Sequence, residues 1–410
     1  DEDTLNMFRA VLADNRELPQ NFAEDMIMKA PSRNIMNKLA RSVLALYSYD
    51  DDPDNIDIKN VLGQCISVIA KLPIIMSHAY QVKRRYFDSK SMFIHPLQPE
   101  LSTAETILRS IRADTHYTEE EARLLDLCLI LHADHGGGNN STFTTHVVTS
   151  SGTDTYSAVA AALGSLKGPR HGGANIKVVK QMDELKTVVK DWKDDDEIAA
   201  YLNRLLNRDA FDKAGLIYGL GHAIYTKSDP RARMLKQFVR ELSAEKGRTD
   251  EFELYERIER IGPGLITAKR NTQKSVCANV DFYSGFAYSM LDLPLELYTP
   301  IFAIARIAGW SAHRMEEIIN KGKIVANEKT ENIANVMSQN RRFNVKIVGP
   351  QKDVLAMLRS MPGITYAEGL AERDGDAYSY MIESDAGIDI RKKLFYCICQ
   401  ETIFSMRIFT

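Results

Sequence analysis

The sequence is poor in the features that mark several protein classes. Its 410 residues include five cysteines and two tryptophans, and the formal net charge is -3. Cys65, Cys128, Cys277, Cys397 and Cys399 are scattered and odd in number. That excludes a regular disulfide framework and suits reduced thiols in a cytoplasmic protein. Only Cys397 and Cys399 are close, and a CxC pair without other ligands is a weak metal signal. The small net charge gives no global attraction to nucleic acid or to an anionic membrane. No long uncharged apolar run is present, so no membrane span is expected. The start, Asp1-Glu2-Asp3, lacks the basic-then-apolar pattern of a signal peptide. Internal repeats and low-complexity tracts are absent. All nine histidines lie at or before His313, so the tail has none for acid–base chemistry.

What is present is mostly helical patterning. The 44% hydrophobic and 26% charged content is ordinary for a globular chain long enough for two or three domains. Apolar residues recur at helical spacing over Asn34–Tyr49 and Ile58–Ile75. Ser102 is placed to cap Thr103–Ile111, and Thr118 with Glu121 forms a capping-box signal before Glu119–Leu131. Ser157–Leu166 is Ala-rich, Trp192–Leu206 and Arg231–Glu245 are amphipathic, and Tyr298–Ala308 is apolar. After Lys323 the character changes. Phe343–Val348 reads as a strand, Gln351–Met361 as a helix, and Thr365–Ala371 with Ala377–Glu383 as a hairpin around Arg373-Asp374-Gly375-Asp376. Ile388–Gln400 reads as a helix and Thr402–Phe409 as a last strand. This βαββαβ order predicts a small ferredoxin-like α+β module over residues 341–410, after a linker near 327–340.

Three segments carry ionisable side chains among small residues: LHADHGGGN (Leu131–Asn139) with GPRHGGAN (Gly168–Asn175), GLGHAIYTKSDPR (Gly219–Arg231) and NVDFYSG (Asn279–Gly285). His171 lies between glycines just before an amphipathic stretch, so it is expected at a helix N-terminus. The helix dipole there disfavours imidazolium, which suits a neutral histidine donating one hydrogen bond. The other reading is a structural histidine in a turn. After His222, Pro230 fixes a turn from which Arg231 opens a helix, and an arginine fork suits a carboxylate. The other reading of Arg231 is an exposed charge. Asp281, between Val280 and Phe282-Tyr283, is expected to be desolvated and hence a stronger base. It could equally serve as a helix cap. His132, Asp134 and His135 have no further ligands at zinc-finger or HExxH spacing, so no metal site is expected there. His135 reads as a substrate hydrogen-bond donor and His132 as a structural neighbour. Arg306 is a charge in an apolar helix, for which a ligand carboxylate is a good partner. Lys269, Arg270 and Lys274 form a basic cluster that could meet the phosphates of a nucleotide-like cofactor, or be solvated.

In sequence and order these segments, with ARIAGWSAHR (Ala305–Arg314), resemble the citrate synthase family of bacterial type, from about residue 19 to 325. The resemblance implies a mainly α, two-domain fold. Its large domain would take residues 1–172 and 291–326, and its small domain residues 173–290. It implies condensation of acetyl-CoA with oxaloacetate, followed by hydrolysis of citryl-CoA, with no permanently bound cofactor and no metal. Asp281, His171 and His222 would be catalytic. His135, Arg231 and Arg306 would hold oxaloacetate, and Lys269, Arg270 and Lys274 would meet the CoA phosphates. A cytoplasmic homodimer is implied. A 2-methylcitrate synthase using propionyl-CoA and a non-catalytic binding protein on the same scaffold are the alternatives. The tail resembles the small C-terminal domain of some ABC-transporter ATPase subunits, without a Walker motif; an ACT-like regulatory domain has the same element order.

Two departures stand out. The family usually has a longer N-terminal region. It also has an Arg-Pro pair where Ala326-Asn327 stand here, whose arginine reaches the partner subunit's site. Loss of that charge should weaken oxaloacetate binding by about one to two decades, at about 1.5–3 kcal/mol per charge-assisted bond. Ala326→Arg should therefore lower the KM for oxaloacetate in steady-state assays and leave that for acetyl-CoA almost unchanged. If Arg341 or Arg342 supplies the charge instead, its replacement by alanine should be the damaging change.

Overall fold

Side-chain caps decide where most of the helices begin. In the computed structural model, described over residues 1–169, 171–222, 225–271, 274–320, 342–374, 376–384, 390, 394 and 405–407, the chain divides into two units, Asp1–Lys323 and Ile324–Thr410. The first unit is helical: α1 (Glu2–Asp14), α2 (Ile35–Leu46), α3 (Ile58–Phe87), α4 (Thr103–Ile111), α5 (Glu119–His132), α6 (Asn140–Thr149), α7 (Thr155–Lys167), α8 (Ala174–Val188), α9 (Asp195–Leu206), α10 (Pro230–Glu245), α11 (Thr249–Arg270), α12 (Val280–Met290) and α13 (Tyr298–Asn320). The N-cap expected at Ser102 and the capping box expected of Thr118 with Glu121 are both formed, and Ser102 makes a full box with Glu105 as well. Asp229 caps α10 and Pro230 takes the first helical position, where its missing N–H is harmless.

Some boundaries differ from the sequence reading, for local reasons. The helix predicted over Trp192–Leu206 begins only at Asp195, because the Asp194 side chain accepts from the N–H groups of Asp196 and Glu197 and so fixes the start there. The helix predicted to end at Ile75 continues through Pro73 to Phe87. Helix α1 went unpredicted, although Leu5, Phe8 and Leu12 recur at helical spacing; none of its residues is buried. By length and composition α3 could cross a membrane, contrary to the expectation from its broken apolar run. Most of that stretch is buried, however: Val68, Leu72, Ile75 and Met76 belong to one core with Leu39, Val43, Leu163 and Ile301.

The second unit is a four-stranded sheet of β1 (Arg342–Val348), β2 (Ile364–Asp374), β3 (Ala377–Ser384) and β4 (Ser405–Arg407), with α14 (Gln351–Ser360) after β1. The strand order is β2-β3-β1-β4 and every neighbouring pair is antiparallel. Val345, Ile347, Tyr380 and Ile382 from the sheet pack with Val354 and Leu358 from α14 in a core of their own. The expected linker at 327–340, the position of Ala326, and nearly all of the helix read over Ile388–Gln400 lie outside the described residues.

Glu121 shows how the caps also tie helices together. It is 3% exposed, accepts from the Thr118 N–H at 3.1 Å, and pairs with Arg112 at 2.6 Å and with Lys246, the residue that follows α10. Arg112 in turn donates to the Leu291 carbonyl after α12. Glu121→Ala leaves two cations without their carboxylate and should cost about 3 kcal/mol, the low end for a buried pair because Lys246 reaches solvent. A lower urea midpoint with unchanged slope is the expected measurement.

Candidate active site

Helix α13 fixes segments around one cavity through Arg306, the Gly309 backbone and Trp310, which share one face of the helix. Arg306, 2% exposed, donates Nε to the His132 carbonyl at 2.8 Å and lies over the Phe302 ring. The Gly309 N–H donates to the Ala133 carbonyl at 3.1 Å. A Cβ at Gly309 would collide with that oxygen, so only glycine allows the approach. Trp310 Nε1 donates to Ser141 Oγ at 3.1 Å, and Ser141 contacts His171. The end of α5, the start of α6 and the turn before α8 are thereby placed around α13.

A second fastening joins His222 to Asp281. Gly219, at φ 82° and packed on Phe282, accepts from the Asn279 N–H, and the Gly221 N–H donates to the Cys277 carbonyl. Asn279 donates Nδ2 to the Gly221 carbonyl at 2.8 Å and accepts from the Asp281 N–H at 3.0 Å. Asn279 is therefore the cap of α12, and Asp281 stands in the first turn with its carboxylate not spent on capping.

The result is a cavity of about 170 Å³ lined by His135, His171, His222, Arg231, Asp281 and Arg306 together. The basic residues Lys269, Arg270 and Lys274 do not line it. Lys269 and Arg270 are exposed on the last turn of α11, with Lys269 donating to Asn207, and Lys274 is exposed beyond it. His132 is fully buried, with Nδ1 on the Cys128 carbonyl at 2.7 Å. Asn139, Asn175 and Thr299 also line the cavity and were not singled out from sequence, although Asn139 and Asn175 end two of the motifs. Asn175 donates to Ser284 at 2.7 Å, while its buried Oδ1 has no partner among the described residues.

Hydrogen bonds assign the histidine protons. The Ser141 N–H points at His171 Nε2 at 3.2 Å, and an N–H can only donate. Neutral His171 therefore carries its proton on Nδ1. The Tyr225 N–H points at His222 Nδ1 at 3.1 Å and Arg231 Nη2 stands 3.4 Å from its Nε2; the shorter backbone bond favours the proton on Nε2, 2.9 Å from His135 Nε2. Burial, reinforced by Arg306, lowers the pKa of His171, and burial with Arg231 lowers that of His222. Burial, then Arg231 and Arg306, bring His135 down to about 4. All three rings are thus held neutral. Burial pushes the Asp281 carboxyl up to about 6, against the pull of Arg231 and Arg306, and it lowers Arg306 to about 10. Asp229, 1% exposed, takes the Nε and Nη2 donors of Arg231. The arrangement offers a basic carboxylate, two neutral imidazole donors and two arginines around one small cavity.

The family model described as citrate synthase, C-terminal domain, matches residues 1–326. The chain belongs to the citrate synthase family. The match starts at residue 1, ahead of the point near residue 19 where the motifs first suggested it. A citrate synthase of Deinococcus radiodurans is 42% identical over 199 residues, which is 48% of this chain and 48% of that protein. One of Synechocystis sp. is 35% identical over 66% of this chain and 61% of its own length. The chain thus spans about half to three-fifths of these relatives. A ternary complex of carboxymethyl coenzyme A and oxaloacetate with the citrate synthase of Thermoplasma acidophilum superimposes with a TM-score of 0.64 at 25% identity, covering 80% of this chain and 81% of that one.

The raised Asp281 carboxyl has a consequence for stability. Its folded pKa lies above its unfolded value, so it favours the fold at low pH and loses that contribution as pH rises through about 6. Asp281→Asn removes an ionised buried group at neutral pH and should stabilise the fold by ~2–3 kcal/mol at pH 8. Scanning calorimetry should show the variant melting higher than wild type at pH 8, with the gap narrowing toward the ordinary aspartate range.

Proposed function

We propose that this chain is a citrate synthase, condensing acetyl-CoA with oxaloacetate and hydrolysing citryl-CoA. The observation that carries this reading is the gathering of His135, His171, His222, Arg231, Asp281 and Arg306 around one cavity. Asp281 takes a proton from the acetyl methyl group, a task its raised basicity suits. His171 donates Nδ1–H to the thioester oxygen as the enol forms. His222 donates Nε2–H to the oxaloacetate ketone and passes that proton to the new alkoxide. Arg231, Arg306 and His135 hold the acceptor; Asp229 occupies one edge of the Arg231 guanidinium and leaves the other for a carboxylate. Lys269, Arg270 and Lys274, exposed near the end of α11, are assigned to the CoA phosphates. Closure of residues 173–290 over the cavity would exclude water until the carbon–carbon bond exists.

The same reading extends to assembly and location. A homodimer built by the helical unit fits exposed Leu44, Leu62 and Phe143, and a reducing cytoplasmic setting fits the buried thiols of Cys65 and Cys128. The strand order β2-β3-β1-β4 supports a ferredoxin-like reading of the C-terminal unit, as a regulatory domain of ACT type or a relative of the small ATPase-subunit domain.

A thiol-release assay with oxaloacetate and either acetyl-CoA or propionyl-CoA tests the activity. Acetyl-CoA should be preferred; preference for propionyl-CoA identifies a 2-methylcitrate synthase, the two differing by one methyl group worth about 1–3 kcal/mol. Asp281→Ala should abolish release while oxaloacetate still binds, because the base acts on the acetyl donor. No release with either thioester from the folded wild-type chain leaves only the binding-protein reading.

A further inference from the structure

We propose that His146, His313 and Glu316 form a binding site for a divalent transition cation of the zinc class, separate from the cavity. None of the three lines that cavity. His146 projects from α6, and His313 and Glu316 share one face of α13, three residues apart. His146 Nε2 lies 3.3 Å from His313 Nδ1, and Glu316 Oε2 lies 3.4 Å from the same Nδ1. One ligand atom from each residue falls within 4.8 Å of the others. Ligands bound tetrahedrally at about 2.0–2.1 Å stand about 3.3–3.4 Å apart, which is the spacing found for two of the three edges.

The far sides of the rings supply the second observation. His146 Nδ1 donates to Glu317 Oε2 at 2.7 Å, and His313 Nε2 donates to Asp134 Oδ1 at 3.1 Å. An ionised carboxylate can only accept, so each ring carries a proton on its outer nitrogen. With those protons outward, the two inner nitrogens face each other and a third donor, the Glu316 carboxylate, lies beside them. A metal ion between them, or a proton shared by the two rings, makes that arrangement favourable, and the Glu316 carboxylate as a third donor suits the metal. Carboxylates behind metal-bound imidazoles are the usual device for orienting such ligands. Two nitrogens and one oxygen suit zinc, cobalt or nickel, whereas magnesium and calcium prefer oxygen alone. The fourth position is left to water. A bound ion would clamp α6 to α13 and, through Asp134, the turn that carries His135.

The test is equilibrium dialysis of the chelator-stripped full chain against Zn²⁺ alone, with the metal counted by atomic emission. One ion per chain is expected, and Co²⁺ in its place should show visible d–d bands without a thiolate charge-transfer band, which sets the site apart from Cys277. His146→Gln should lose that ion. Glu316→Gln, which alters an exposed side chain and spares the fold, should also weaken binding, and Glu317→Gln should weaken it by ~10–100-fold. Absence of a bound ion, or an ion held equally well by wild type, His146→Gln and Glu316→Gln, overturns the proposal; a proton shared between the two rings is then what the pair holds.

Discussion

The site depends on the contact of α13 with the turn after α5. Arg306, Gly309 and Trp310 meet the His132 carbonyl, the Ala133 carbonyl and Ser141 in succession, and Arg314 continues the face with bonds to Thr149, Thr153 and Thr155. One helix face thereby sets the position of His135 and, through Ser141, the orientation of His171. The buried guanidinium of Arg306 is costly in itself. Its partners among the described residues are a carbonyl and an aromatic ring, so the acceptor carboxylate proposed for the cavity would complete its environment.

The same burial tunes the acids and bases in opposite directions. Withdrawal from water raises a carboxylate and lowers an imidazole, and the two arginines partly oppose the first effect and add to the second. A carboxylate near 6 can take a proton from carbon at neutral pH, while the three histidines stay neutral donors or acceptors. The tautomers follow from backbone N–H groups, not from side-chain partners that could rotate away.

Much of this was legible in the sequence where the signal is local. The cap at Ser102, the capping box at Thr118, and the βαββ pattern beginning at β1 each depend on a few neighbouring residues and each is present, while α10 opens at Pro230, one residue before the expected start at Arg231. Five of the residues that line the cavity, His135, His171, His222, Arg231 and Asp281, could be singled out because each sits in a motif with small residues, and Arg306 because it is a charge in an apolar helix; Lys269, Arg270 and Lys274 do not line it. Contacts made between distant segments were not legible. Nothing near Ser141 in sequence shows that it meets both His171 and Trp310, and nothing near His146 points to His313. The two readings of Asp281 separated only when Asn279 was seen to take the capping role. The start of α9 was misplaced because apolar spacing continues back to Trp192, while the Asp194 cap ends the helix sooner.

The central claim is that burial keeps Asp281 basic and the histidines neutral, and the pH profile of kcat/KM for acetyl-CoA tests it most directly. The account predicts one ascending limb with unit slope and a midpoint near 6, set by Asp281, and a plateau through neutral pH. A midpoint in the ordinary aspartate range, or a profile governed by a histidine that must be protonated and therefore falling as pH rises through neutrality, would contradict it.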